Sequence, residues 1–239
     1  MAVESLYREP ELEQAPPEWP VLEMHDVFKI YRSGPVETVA LRGVDLDVHA
    51  GQTIAILGPS GCGKSTLLAL AAGLDRASAG DVRSRGVSLV TQSEAELADY
   101  RAQGVGIVFQ SGNLWPMLSA EENVVVALRL AGVDSPVRRA AEALEEFGLG
   151  DRAAHRAEAL SGGEQQRVAI AAAVARRAPL ILADEPTGEL DAANQQIVLT
   201  ALRRLPSKHG SAVVVVTHSS IVANSADQVV ELRDGAVVR

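Results

Sequence analysis

The sequence predicts an α/β fold, and three observations carry that prediction. Short β-branched runs, "QTIAILG", "LILAD" and "AVVVVTH" among them, alternate along the chain with Ala/Leu-rich stretches of helical length. Apolar residues make up 47% of 239 residues and aromatics only 3%, so a sizeable core has to be built from Val, Ala and Leu. The apolar run "QTIAILG" passes directly into a glycine-rich loop and then into an Ala/Leu helix.

The elements follow in order. Residues 1–20, with four prolines and a run of glutamates in "REPELEQAPPEWP", read as an acidic, flexible tail; Trp19 is expected to pack where it meets the domain. The domain proper spans 21–239. "VLEMHDVFKIY" and "GVDLDVHAG" read as strands, the second alternating like a half-buried one. A helix from about Gly63 to Ala72 is ended by Gly73. "VSLVTQ" is predicted to be a strand, "SEAE" from Ser93 a capping box opening a helix, and "GVGIVFQ" a strand again. Residues 111–160 read as a helical insertion: "SAEENVVVALRLAG" carries a second capping box, Ser119 to Glu122, and "SPVRRAAEALEEFG" and "DRAAHRAEAL" are amphipathic. Then come a helix from Ser161, the strand "LILAD", a helix from about Ala192, the strand "AVVVVTH" and a hairpin around Asp234–Gly235.

Composition excludes several classes. A net charge of −9 and a pI near 5.1 argue against nucleic acid as a partner, because a phosphate-binding face is basic. The pairs Arg138–Arg139, Arg176–Arg177 and Arg203–Arg204 read as solvated helix surface. One cysteine, Cys62, forbids an intrachain disulfide and fits a reducing compartment. No signal peptide is apparent, and no apolar run nears the ~20 residues that span a bilayer. The chain is expected to be soluble, with any membrane role arising through a partner.

"GPSGCGKST", Gly58 to Thr66, fits the phosphate-cradle pattern and sits where that pattern must, between an apolar strand and a helix. Gly58, Pro59, Ser60, Gly61, Cys62 and Gly63 form a loop whose backbone N–H groups can converge on phosphate oxygens, with Cys62 contributing its backbone alone. The helix N-terminus adds partial positive charge. Lys64 can reach the β- and γ-phosphates, and Ser65 and Thr66 open the helix, with the Ser65 hydroxyl suited to Mg2+. "LILADE" ends in Asp184, suited to holding Mg2+ through water, and Glu185, suited to polarising the attacking water. In "ALSGGEQQRVAI", Ser161 and Glu164 form a third capping box, while Gly162 and Gly163 leave a bare, positively polarised helix end that an anion can approach.

With both phosphate elements and that serine–glycine turn in view, the chain from 21 to 239 resembles the nucleotide-binding subunits of ABC transporters. The resemblance implies a P-loop NTPase fold: a RecA-like core with an antiparallel β subdomain and an inserted α-helical subdomain. Gly58–Thr66 is similar to Walker A, Leu180–Asp184 to Walker B with the catalytic Glu185 after it, and Leu160–Gln165 to the signature motif. Gln110 looks like the Q-loop glutamine, implying contact with Mg2+ and the attacking water. Gly188–Asp191 looks like the D-loop, His218 like the switch histidine that touches the γ-phosphate, and Tyr31 like the aromatic that stacks on adenine. The resemblance further implies that the signature turn Ser161, Gly162, Gly163 and Glu164 faces ATP held by the other subunit, so that two chains, expected to be identical, sandwich two ATP molecules.

"QSEAELADYRAQGVGIVFQ", leading into "NLWPMLSAEENVVVALRLAG", and "LADEPTGELD" resemble the branch of lipoprotein-releasing, macrolide-export and cell-division ATPases. Those pair with FtsX-like integral membrane permeases, which often pull on extracytoplasmic proteins. Residues 111–120, including Leu114, Trp115, Pro116 and Met117, would then form part of the groove for the permease's coupling helix. There are departures. Glu189 replaces a usual asparagine in the D-loop, Ala172 a usual arginine in the signature helix, whose stability must then rest on other contacts, and Ser219 a usual aspartate. None removes a catalytic group, so an active ATPase is expected, peripheral to the cytoplasmic face of the membrane. A soluble ABC ATPase of DNA repair or iron–sulfur assembly is the rival reading; the short insertion and acidic charge weigh against DNA work. An inactive scaffold is opposed by Lys64, Glu185 and His218.

Overall fold

The structure, a computed structural model, describes residues 19–188 and 190–238; the predicted tail up to residue 18, and Glu189, lie outside the described residues. The chain runs through β1 (Leu22–Ser33), β2 (Val36–Val48), β3 (Thr53–Leu57), α1 (Lys64–Ala71), β4 (Ala79–Ser84), β5 (Val87–Ser88) and α2 (Glu94–Asp99). A π-helical turn, Tyr100–Gly104, leads into β6 (Val105–Val108), then α3 (Ala120–Leu130) and α4 (Pro136–Glu146). The remainder is α5 (Gly162–Ala175), β7 (Leu180–Asp184), α6 (Ala192–His209), β8 (Ala212–Thr217), α7 (Ser220–Ala223), β9 (Gln228–Arg233) and β10 (Ala236–Val238).

Two sheets result. One is antiparallel, ordered β2-β1-β4-β5; the other has six strands ordered β10-β9-β3-β8-β7-β6 and is parallel except at β10. The β9–β10 hairpin turns through Asp234 (φ 47°) and Gly235 (φ 81°), both left-handed as a tight hairpin requires. The inner parallel strands β3, β7 and β8 are almost wholly apolar because both of their faces are covered. Ile54, Ile56, Leu180, Leu182, Val214 and Val216 face a core shared with α1 and the antiparallel sheet. Their alternates Ile181, Ala183, Val213 and Val215 face a second core shared with α3, α4, α5 and α6. Phe147, which follows α4, is fully buried in that second core.

All three predicted capping boxes are present, each with reciprocal bonds: Ser93 with Glu96, Ser119 with Glu122 and Ser161 with Glu164. Trp19 stands half exposed with its ring against Gly86.

Three expectations are corrected. "VSLVTQ" yields only the two-residue β5; Leu89 N–H adds one more in-register bond to Val82 O, and the chain then leaves the sheet for α2. "DRAAHRAEAL" is not a helix but two short 3₁₀ turns, Gly150–Arg152 and Ala157–Ala159; between them Ala120 N–H and Glu121 N–H bond to His155 O and Ala153 O, carbonyls an α-helix would use internally. Arg176 is not solvated surface. Its guanidinium donates to Arg101 O and Ala102 O, both at 2.6 Å, and burial pulls its pKa down. Ala172, four residues earlier in α5, packs into the helical core. Beside Arg176, Tyr100 donates its hydroxyl to Ala71 O at 2.8 Å and Arg101 donates to Gly73 O at 2.5 Å, so the π-turn is bonded to the end of α1.

Phe147→Ala is expected to destabilise the protein by about 3–5 kcal/mol, read as a lower urea midpoint with the cooperative transition retained; a shift of under about 1 kcal/mol would show that the helical core closes without this ring.

Candidate active site

The site is built on a loop that only glycine can form. A Cβ on Gly58 would lie 2.3 Å from Leu232 O, and one on Gly63 (φ 107°) 2.4 Å from Ala40 O. The loop is thereby wedged between β9 and β2 and turned over the end of β3. Gly63 also occupies the N-cap of α1, where no side chain caps the helix and its first turn carries no acid. The first N–H groups of α1 are left facing outward, an anion-binding arrangement. Lys64 is buried under this loop, and its ammonium donates to Gly58 O and Pro59 O at 2.8 and 2.9 Å. Pro59 supplies a carbonyl and no N–H. Cys62 is buried, its N–H 3.4 Å from Pro59 O and its carbonyl accepting from Gly235 N–H.

Asp184 and Glu185 close the cleft from β7. In the large sheet β8 lies between β3 and β7, with Leu57 paired to Thr217 and Val216 to Asp184. The ends of three strands therefore meet at one rim. Across it Ser65 donates its hydroxyl to Asp184 Oδ2 at 2.7 Å. Glu185 is left-handed (φ 46°), a conformation that non-glycine residues adopt at a cost of about 1 kcal/mol or more and hold only where the surroundings fix it. Here its N–H donates to Val216 O, Thr217 donates to Oε2 at 3.0 Å, and His218 Nδ1 stands 2.8 Å from Oε1. His218 is otherwise exposed.

The remaining predicted residues lie farther out. A small cavity of about 180 Å³ joins Ser65 and Asp184 to Phe109, so the end of β6 opens on the cleft; Gln110, next in the chain, is exposed and bonded to neither. Tyr31 is 43% exposed on β1, its hydroxyl bonded to Asp75 Oδ2 at 3.1 Å and Lys29 over its ring. It pairs with Thr38, two residues along β2 from the Ala40 that meets Gly63. Ser161 and Gly162 face solvent, and among the described residues no hydrogen bond joins the signature turn to the phosphate loop.

Sequence reasoning missed the bonds that stiffen these outer parts. Arg152 donates to Glu164 Oε1 at 3.0 Å, so the cap of α5 is tied to the loop before it. Buried Arg167 donates to Asn194, whose N–H and side-chain amide both reach Asp191 at 2.9 Å; Asp191 therefore caps α6 and is linked to the signature helix. The "R" of "GGEQQR" was the available signal.

Comparison with known proteins fits this geometry. A family model described as ABC transporter matches residues 41–188. The chain belongs to the ABC transporter ATP-binding family. It is 46% identical over 219 residues to an uncharacterized ABC transporter ATP-binding protein of Thermotoga maritima, covering 91% of this chain and 93% of that one. It is 41% identical over 222 residues to the macrolide export ATP-binding/permease protein MacB of Escherichia coli K12, covering 92% of this chain but 34% of MacB, so it spans about a third of that relative's length. Among solved structures, the dimeric bacterial ABC transporter cassette MJ0796 superposes with a TM-score of 0.87 at 39% identity, covering 91% of this chain and 97% of that one. The same cassette in a post-hydrolysis state bound to ADP and Pi gives a TM-score of 0.87. The P-loop NTPase fold read from the sequence stands, the relatives include a member of the lipoprotein-releasing, macrolide-export and cell-division branch, and the cassette is an ABC ATPase.

The Ser161 N–H, with the Arg152 guanidinium and the Ser161 hydroxyl, holds the Glu164 carboxyl down at about 2 from an ordinary 4.5. Its folded pKa is depressed, so its contribution to stability is complete above pH 4.5 and is lost as pH falls toward about 2. Glu164→Gln is expected to flatten the fall of the urea midpoint across that window; an unchanged slope would contradict this assignment.

Proposed function

We propose that two copies of this chain close head to tail on two ATP molecules and that the closure drives an integral membrane permease of the FtsX-like kind. The observation that carries the reading is the convergence of an uncapped helix end, Lys64, Ser65–Asp184 and Glu185–His218 at one rim, with the signature turn exposed and, among the described residues, unbonded to them. In this reading the backbone of Gly58–Thr66 cradles the phosphates, Lys64 leaves its loop carbonyls for the β- and γ-phosphates, and Tyr31 stacks on adenine. Ser161, Gly162, Gly163 and Glu164 reach the γ-phosphate held by the partner, with Asp191 beside the second site.

Ser65 and Asp184 present two hard oxygens side by side, and among the described residues no cluster of three or more acidic, His or Cys side chains forms a cage of its own. That donor set fits Mg2+, which is typically held by one or two protein oxygens with phosphate and water completing the shell. Ser65 and Asp184, with Gln110, would hold it, and bound Mg2+ would neutralise charge developing on the phosphates. Glu185 takes the proton of the attacking water as general base, and His218, steadied on Glu185, is placed to hold the γ-phosphate.

A groove of about 520 Å³ runs between the π-turn and the helices, lined by Arg101, Asn113, Leu114, Trp115, Leu130 and Arg176. Trp115 in its lining is 51% exposed, and Met117, two residues on in the chain, is 62% exposed, which supports docking of a permease segment there. The groove wall at Arg101 is bonded to the end of the phosphate-loop helix, so displacement of one bears on the other. Among the described residues no helix is long and apolar enough to cross a membrane. The chain's place in this reading is the cytoplasmic face of the membrane, held by the permease and acting through it on an extracytoplasmic protein; nucleic acid has no part in it.

Glu185→Gln is expected to cut turnover by about 10²–10⁴-fold and to trap an ATP-bound dimer in size-exclusion chromatography with saturating ATP and Mg2+; a monomer throughout would contradict the head-to-tail site. Lys64→Ala is expected to weaken ATP binding at least about tenfold; wild-type affinity would contradict the cradle. Affinity-tagged Glu185→Gln, solubilised from its source cell with ATP and detergent, should carry a permease with a large extracytoplasmic domain, identified by mass spectrometry. A soluble partner instead would favour a non-transport ABC ATPase.

A further inference from the structure

One side chain at the rim has no assigned part in the chemistry, Thr217. It is the last residue of β8, 1% exposed, and β8 is the strand that separates the phosphate-loop strand from the Asp184 strand. Its hydroxyl makes two bonds: Ser219 N–H to Thr217 Oγ1 at 3.0 Å, and Thr217 Oγ1 to Glu185 Oε2 at 3.0 Å. A hydroxyl carries one hydrogen. The Ser219 amide can only donate, so it occupies a lone pair, and the single hydrogen is left for Glu185. The direction is thereby fixed: the amide of Ser219 donates to Thr217, and Thr217 donates to the carboxylate. His218 holds the other oxygen at 2.8 Å, so two consecutive residues grip both oxygens of Glu185.

We propose that Thr217 is a positioning residue for ATP hydrolysis, its hydroxyl fixing the orientation of the Glu185 carboxylate while His218 and the water share the opposite oxygen. A purely structural threonine at a buried strand end would need only to satisfy its own hydroxyl, and a nearby backbone carbonyl serves that purpose, as Ala178 O does for Ser211. Thr217 bonds instead to the side chain placed to activate water, and does so from the strand that sets the position of Glu185 through Val216 O. The inference rests on the reading of Glu185 as general base.

The test compares Thr217→Val, which keeps the shape and removes the hydroxyl, with Thr217→Ser, which restores it. Steady-state ATPase kinetics, affinity for a fluorescent ATP analogue and the thermal midpoint are measured on the full chain. Thr217→Val should lower kcat by about ten- to a hundredfold, with KM and nucleotide affinity within about twofold of wild type. Thr217→Ser should return kcat to within about threefold of wild type. In single-turnover assays on a Glu185→Gln background, Thr217→Val should cause no further loss, because both changes act through one carboxylate. Thr217→Ala removes the same hydroxyl and takes the place of the valine variant should that one unfold. Wild-type kcat in the hydroxyl-free variant overturns the proposal, as does an equal loss of rate on the Glu185→Gln background. If Glu185→Gln alone turns over like wild type, it is the general-base reading that fails, an outcome separable from a normal Thr217→Val beside a dead Glu185→Gln.

Discussion

The parallel register of three strands is the constraint on which this site depends. Leu57 is paired with Thr217 and Val216 with Asp184, so β3, β8 and β7 end level with one another. A shift of one residue would turn Asp184 to the opposite face of the sheet and carry Thr217 away from Glu185. The register is held by burial rather than by any single bond. Val213 and Val215 face the helical core while Val214 and Val216 face the core under α1, and a slip would exchange these sets. The same apolar uniformity that leaves these strands without an amphipathic pattern is what aligns Asp184 and Glu185 with the phosphate loop.

Much of this was legible in the sequence because the signals were local. The phosphate loop announces itself through glycines whose missing side chains the structure needs, at Gly58 and Gly63 in particular. The three capping boxes formed because each needs only four consecutive residues. The failures have the opposite character. "DRAAHRAEAL" has helical composition, but its backbone carbonyls are claimed by the start of α3, a long-range bond that no periodicity reveals. β4 was overlooked because "AGDVRS" has little apolar content, and its pairing is dictated by β1. Arg176 looked like surface because its partners, the carbonyls of the π-turn, lie about seventy residues earlier in the chain.

Electrostatics at the site run against the overall charge. The chain is formally −9, yet the phosphate loop offers a buried lysine and free helix N–H groups with no acid in the first turn of α1. The carboxylates cluster on the opposite wall, at the end of β7, where Asp184 faces a hydroxyl and Glu185 a hydroxyl and an imidazole. The two signs are thus segregated by strand, which suits a ligand that is anionic along one edge and attacked by water from the other. Helix α5 differs: Ser161 and Glu164 cap its amino end reciprocally, Glu164 puts an acid in its first turn and is tied to Arg152, and Gly162 stays exposed.

The geometry of that second helix end bears on the proposed two-chain site. Gly163 lies against Leu190, and Arg167 reaches Asn194 and through it Asp191, so the signature helix and the start of α6 are tied together. That piece is bonded to its own subunit on its inner side, while Ser161 and Gly162 stand in solvent. An anion-binding helix end is costly to bury unpaired and is most useful where an anion can reach it. Its own phosphate loop does not supply one through any bond described here, whereas a second subunit turned head to tail would bring its γ-phosphate to that surface. In the proposed dimer nucleotide would be the material of the interface, with the uncapped end of α1 on one chain and the exposed Ser161–Gly162 turn of the other meeting the same phosphate chain. In that dimer, hydrolysis would remove the charge holding the chains together, and a chemical step at Glu185 would become a change in the distance between two subunits.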